Sequence, residues 1–101
     1  GHPSSRLLKG IEVSTGSLGQ GLSTAAGMAK GAKFLNQDIN VYSVLGDGEL
    51  AEGQIWEATM FAAHYKLDNL CIIADINENM EPLGTHIINI LFCNLDFTFF
   101  Y

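Results

Sequence analysis

Asn40-Val41-Tyr42-Ser43-Val44-Leu45 runs into Gly46-Asp47-Gly48, and Leu70-Cys71-Ile72-Ile73-Ala74 runs into Asp75-Ile76-Asn77. Each is a short apolar run rich in β-branched residues that stops at turn-forming residues, the pattern of a strand. The second run has no polar alternation, which predicts burial on both faces. Between them, Glu52 to Lys66 carries a helical stripe, read as Trp56, Met60, Ala63 and Leu67, with Trp56 and Met60 assigned to the core. Strand, helix and strand with short connections predict a βαβ unit with parallel strands, so both carboxyl ends meet at one sheet edge. Ligands of such sheets bind outside those ends. The predicted class is α/β, a partial parallel sheet with flanking helices.

Working outward, residues 1–16 contain Pro3, Gly10 and Gly16 among several Ser and Thr and read as loop, with Ile11-Glu12-Val13 as a short extended piece. From about Ser17 to Asn36, Leu22, Ala25, Ala26, Ala29, Ala32 and Leu35 recur at helical spacing. Gly27 and Gly31 inside that helix each cost about 1 kcal/mol relative to Ala, so close packing against a neighbouring backbone is expected there. Ile87 to Tyr101 is dense in Ile, Leu and Phe without regular order. It fits an edge strand or a segment lacking its native cover.

The chain has 101 residues, room for one small domain. It starts at Gly1 without Met and reads as part of something longer. Hydrophobic residues make up 48% and charged residues 16%, which favours a packed domain over disorder. A net charge of −6 leaves no basic patch and argues against a nucleic-acid partner. No apolar run reaches the ~18 residues of a membrane span. Cys71 and Cys93 lack metal-ligand spacing and read as reduced core thiols of a cytoplasmic protein.

The chemistry lies at the strand ends. Asp47 offers hard carboxylate oxygens and Asn77 a hard amide oxygen, the donors that Mg²⁺ or Ca²⁺ prefers, with substrate phosphates completing the shell. A Gly-Asp-Gly alone is more often a plain turn; paired with Asp-x-Asn at the adjoining strand end it is far more specific. Gly16-Ser17-Leu18-Gly19-Gln20-Gly21 opens the first helix, where free N–H groups suit an anion or a cofactor ring. It is neither a Walker A loop nor a dinucleotide fingerprint, and a simple cap with glycine for close packing explains it as well.

Taken together, Gly1-His2-Pro3, the stretch from Gly10 to Leu22, Gly46 to Gln54 and His64 to Leu70 resemble the thiamine-diphosphate-binding N-terminal part of transketolase. The likeness covers residues 1 to about 77. It divides the chain into a diphosphate- and metal-binding segment, 1–79, and a divergent hydrophobic tail, 80–101. The resemblance implies thiamine diphosphate and Mg²⁺ (or Ca²⁺) as cofactors, held by Asp47, Asn77 and the backbone carbonyl of Asn79. It implies that Gly48 contacts the diphosphate and that Gly16, Ser17 and Leu18 line the cofactor. His2 would bind the donor sugar, and Glu52 would join a carboxylate network between subunits. On sequence alone Glu52 reads first as an acid favoured by a helix dipole and His64 as a structural histidine, while a solvated terminus is the alternative for His2.

The implied activity is transfer of a two-carbon ketol unit from a ketose phosphate to an aldose phosphate by a cytoplasmic homodimer of the pentose phosphate pathway. The implied partners are sugar phosphates and a pyrimidine-binding domain supplied by a partner subunit. After Asn77 the family pattern is Gly-rich, whereas Glu78-Asn79-Met80-Glu81-Pro82 stands here. The chain alone is therefore expected to be inactive. The alternatives are a non-catalytic cofactor-binding or assembly module and an inactive truncated product.

Overall fold

The computed structural model describes residues 2–75 and the backbone of residues 91–92. Helix α1 (Gln20–Phe34) leads to strand β1 (Val41–Gly46). A 3-10 helix (Asp47–Ala51) follows directly, then helix α2 (Gly53–His64) and strand β2 (Leu70–Asp75). A two-residue strand β3 (Leu91–Phe92) completes a sheet of order β1-β2-β3. Strands β1 and β2 are parallel, with Val41 opposite Leu70 and Gly46 opposite Asp75. Strand β3 pairs antiparallel with β2 through Ile72 and Ile73. The α/β class and the parallel pair are as the sequence predicts; the antiparallel third strand makes the sheet mixed.

The core joins Leu22, Ala25, Ala26 and Ala29 of α1 to Val41, Leu45, Ile55, Ala58, Ala62, Leu67, Leu70 and Ile72. Small residues on the buried face of α1 let its backbone approach the sheet closely. On β1 every second side chain is buried, leaving Tyr42 and Val44 exposed. On β2 all but Ile73 and Asp75 are buried, as a continuous apolar run requires.

Both helices end in the same way. Asn36 and Lys66 adopt left-handed conformations, at φ 53° and 50°. The next N–H, of Gln37 or Leu67, donates to Ala32 or Ala62 at 2.9 and 3.0 Å, closing a Schellman motif. Leu67, placed just beyond that turn, is then buried in the core. Asn69 fastens the start of β2 by donating from Nδ2 to the Ala29 and Ile39 carbonyls at 3.0 and 3.2 Å. Lys33 pairs with Asp68 at 2.5 Å across the exposed surface. The hydrogen bond and then the charge of Lys33 hold the Asp68 carboxyl below its usual pKa. The stability this adds is present above the ordinary carboxylate range and is lost as pH falls through the lowered value.

Four expectations are corrected. The buried stripe of α2 is Ile55, Ala58, Thr59 and Ala62, whereas Trp56 and Met60 are 48% and 63% exposed. The two stripes have the same period and differ by one residue, about 100° of helix rotation, so periodicity alone does not choose between them. Ile11-Glu12-Val13 forms no strand. A Cβ at Gly27 or Gly31 would meet nothing within 4 Å, so no neighbouring backbone among the described residues requires glycine there. Gly27→Ala is therefore expected to stabilise the protein by about 0.5–1 kcal/mol, read as a higher thermal midpoint; a lower one would show another element packed on that face. Finally, Cys71 is buried on β2 and disulfide-bonded rather than a free thiol. Cys93 lies outside the described residues. No helix among them is long and apolar enough to cross a membrane.

Candidate functional site at the strand ends

The parallel register places Gly46 and Asp75 side by side at the carboxyl ends of β1 and β2. Asp47 is the first residue past that edge, and the chain turns at once into the 3-10 helix. Its Oδ1 accepts from the Gly48 N–H at 2.8 Å. Its Oδ2 is buried and has no hydrogen-bond partner among the described residues. A buried carboxylate oxygen left unpaired is costly, and a hard cation is one partner that would offset it. Gly48 has nothing within 4 Å of where a Cβ would stand, so its backbone is open to close approach. Asn77 and Asn79, expected as the other metal ligands, lie outside the described residues. Among those described, no group of three or more His, Cys, Asp or Glu side chains gathers to hold a metal.

The glycine loop comes to the same edge. Gly19 is the N-cap of α1 at φ 84°, a conformation that glycine adopts without strain. Its N–H donates to Glu49 Oε1 at 2.9 Å, and the other carboxylate oxygen, Oε2, accepts from the Gly46 N–H at 2.9 Å. Gln54 Nε2 donates to the Leu18 carbonyl at 3.1 Å. The loop therefore stands against the 3-10 helix and the start of α2. The free N–H groups expected at this helix start are partly used: Gly19 is bound by Glu49, and Gln20 donates to the Ser17 carbonyl at 3.2 Å. This suits a loop that lines a ring better than one that cradles phosphate.

His2 belongs to this group too. A Cβ on Gly16 would stand 3.1 Å from its imidazole, so the ring lies against Gly16 while His2 stays exposed. Leu18 is 54% exposed, an apolar side chain offered at the site. Glu52 is the N-cap of α2 but makes no side-chain cap hydrogen bond, so capping does not account for it. His64 ends α2 with its ring edge-on to Tyr65 at 4.8 Å, a surface packing role. A cavity of about 560 Å³ beside β1, lined by Ile11, Val13, Met28 and Tyr42 among others, touches neither Asp47 nor the 16–18 loop.

Sequence reasoning had no place for Glu49 and Gln54. The signal for Glu49 is its spacing: an acid three residues after Gly46 forms half of a capping box. Nothing local in the sequence points to Gly19 as its second partner.

Fold and edge define an α/β protein whose candidate site lies at the carboxyl ends of parallel strands, where Asp47 stands near a glycine loop. Residues 1–84 match the family model of the transketolase thiamine diphosphate binding domain, and the chain belongs to that family. It is 54% identical over 79 residues to human transketolase, covering 77% of this chain and 12% of that protein. It is 53% identical over 79 residues to the Bos taurus transketolase-like protein 2, with the same 77% and 12% coverage. It is 50% identical over 78 residues to one of the named subunits of the apulose-4-phosphate transketolase of Actinobacillus succinogenes, covering 77% of this chain and 28% of that one. The chain thus spans a minor part of the length of these relatives.

Proposed function

We propose that this chain provides the diphosphate- and metal-holding half of a thiamine diphosphate site that serves ketol transfer from a ketose phosphate to an aldose phosphate. The observation that carries this reading is the Oδ2 of Asp47, buried and without a hydrogen-bond partner among the described residues, at the carboxyl end of β1. In it Asp47, the Asn77 side chain and the Asn79 carbonyl hold Mg²⁺ (or Ca²⁺), and Gly48 lets the diphosphate approach the backbone. Gly16, Ser17 and Leu18 line the cofactor, and the position of the His2 ring over Gly16 supports a role for His2 in binding the donor sugar. When bound, the cofactor supplies the chemistry of carbon–carbon bond cleavage; the protein binds and orients it.

A pyrimidine-binding domain, on a partner subunit or another part of a longer polypeptide, completes the site, and Glu52 faces that partner in a carboxylate network. The assembled enzyme is a homodimer acting in the cytoplasm, in the pentose phosphate pathway. One relative carries a subunit name, which supports a division of such a site between polypeptides.

Calorimetric titration of thiamine diphosphate tests this. Binding is expected in the presence of Mg²⁺ and is lost with a chelator. Absence of both heat and any circular dichroism change at saturating Mg²⁺ rules the reading out. Mixing with a separate pyrimidine-binding domain is then expected to yield ketose-to-aldose transfer; binding without product leaves a cofactor-binding module in place of an enzyme.

A further inference from the structure

One side chain ties the two halves of the candidate site together. Glu49 accepts from Gly46 and from Gly19, both at 2.9 Å, one through each carboxylate oxygen. Gly46 precedes Asp47 at the metal end. Gly19 follows Leu18 at the ring-lining end. The Glu49 half of a capping box explains the bond to Gly46, but local capping of the 3-10 helix gives no reason for the bond to a residue 30 positions away. That amide sits at the start of α1, where a negative charge is favoured. Here the charge is the protein's own. Both bonds join an N–H to a carboxylate, a stronger class than neutral pairs. Gln54 holds the adjoining Leu18 carbonyl from the other side, its side chain filling the space where a Cβ on Gly19 would stand at 2.9 Å.

We propose that Glu49 is a positioning residue that sets the spacing between the cofactor-lining loop, Gly16 to Leu18, and the metal end, Asp47 and Gly48. The proposal rests on the thiamine diphosphate reading above. A cofactor that spans both ends depends on their separation; a ligand that occupies the metal end alone does not.

The test uses the full chain, two probes with Mg²⁺, and the variants Glu49→Gln, Glu49→Ala and Gln54→Ala. Thiamine diphosphate spans the site; inorganic pyrophosphate reads the metal end alone. Glu49→Gln is expected to weaken thiamine diphosphate about 10- to 100-fold, the usual effect of losing one hydrogen bond to a charged group, with pyrophosphate affinity unchanged. Equal loss for both probes, or loss for neither, overturns the proposal. If Glu49→Ala proves unfolded by circular dichroism, Glu49→Gln and Gln54→Ala carry the comparison, and each should show the selective loss. The amide resonances of Gly19 and Gly46 give a second readout without ligand. Both should shift in Glu49→Gln, and movement of Gly46 alone overturns the clamp. Should the unsubstituted chain bind neither probe, the cofactor reading fails, while the paired amide shifts still decide whether the clamp exists.

Discussion

Asp47→Ala is expected to abolish Mg²⁺-dependent thiamine diphosphate binding while leaving the cofactor-free protein at least as stable as before. On the proposed function the two effects have opposite signs, because Asp47 would be placed for a ligand. Among the described residues its Oδ2 is buried without a partner, and its Oδ1 satisfies only the neighbouring Gly48 N–H. An unsatisfied buried polar atom costs about 1–3 kcal/mol, whereas one hydrogen bond returns about 0.5–1.5. Truncation therefore relieves the folded protein slightly. In the bound state the same carboxylate would face a divalent cation, and losing one member of a desolvated charge pair costs about 2–5 kcal/mol, from about 30-fold to several thousandfold in affinity. Calorimetry reads the binding and a melt without cofactor reads the stability. A fall in cofactor-free stability with binding intact would make Asp47 a structural residue and remove it from the site.

What the sequence discloses and what it withholds divide along a physical line. The strands are legible because an unbroken apolar run such as Leu70 to Ala74 has few other uses, and parallel strands bring their carboxyl ends to the same side; the register itself is seen only in the structure. That register alone brings Gly46 and Asp75 to one edge. The face of α2 is not legible, because Ile55-Ala58-Thr59-Ala62 and Trp56-Met60-Ala63 share one period. Burial falls on the smaller set because a helix lying close to the Ala-rich α1 has no space for Trp. The need for glycine at positions 27 and 31 is misjudged for the opposite reason, since local cost says nothing of what lies outside. At the site, Asp47 and the Gly16–Leu18 loop are visible as local motifs. The Glu49 clamp joins residues distant in sequence and emerges only when α1 and β1 are packed.

Leu22→Ala is expected to destabilise the protein by about 2–5 kcal/mol, the range for a fully buried leucine. Leu22 and Leu67 are the largest fully buried side chains among the described residues, and much of the surrounding core is alanine. Alanines cannot lengthen to fill the gap, so the cavity persists. Domains have about 5–15 kcal/mol of stability in all, and small ones sit at the low end, so this one change removes a large share. The exposed Met60→Ala serves as the contrast, with an effect within about 0.5 kcal/mol. Leu22 also stands in the first turn of α1, just after Gly19, so its loss loosens the element that carries the glycine loop. Folding and cofactor binding are then linked. A ligand present at 100 times its dissociation constant adds about 2.7 kcal/mol to the folded state, so Mg²⁺ with thiamine diphosphate should restore most of the thermal midpoint that Leu22→Ala removes. A variant that melts like the unsubstituted chain would show that α1 is not seated through Leu22. A destabilised variant that saturating cofactor fails to recover would instead separate this helix from the site at its amino end.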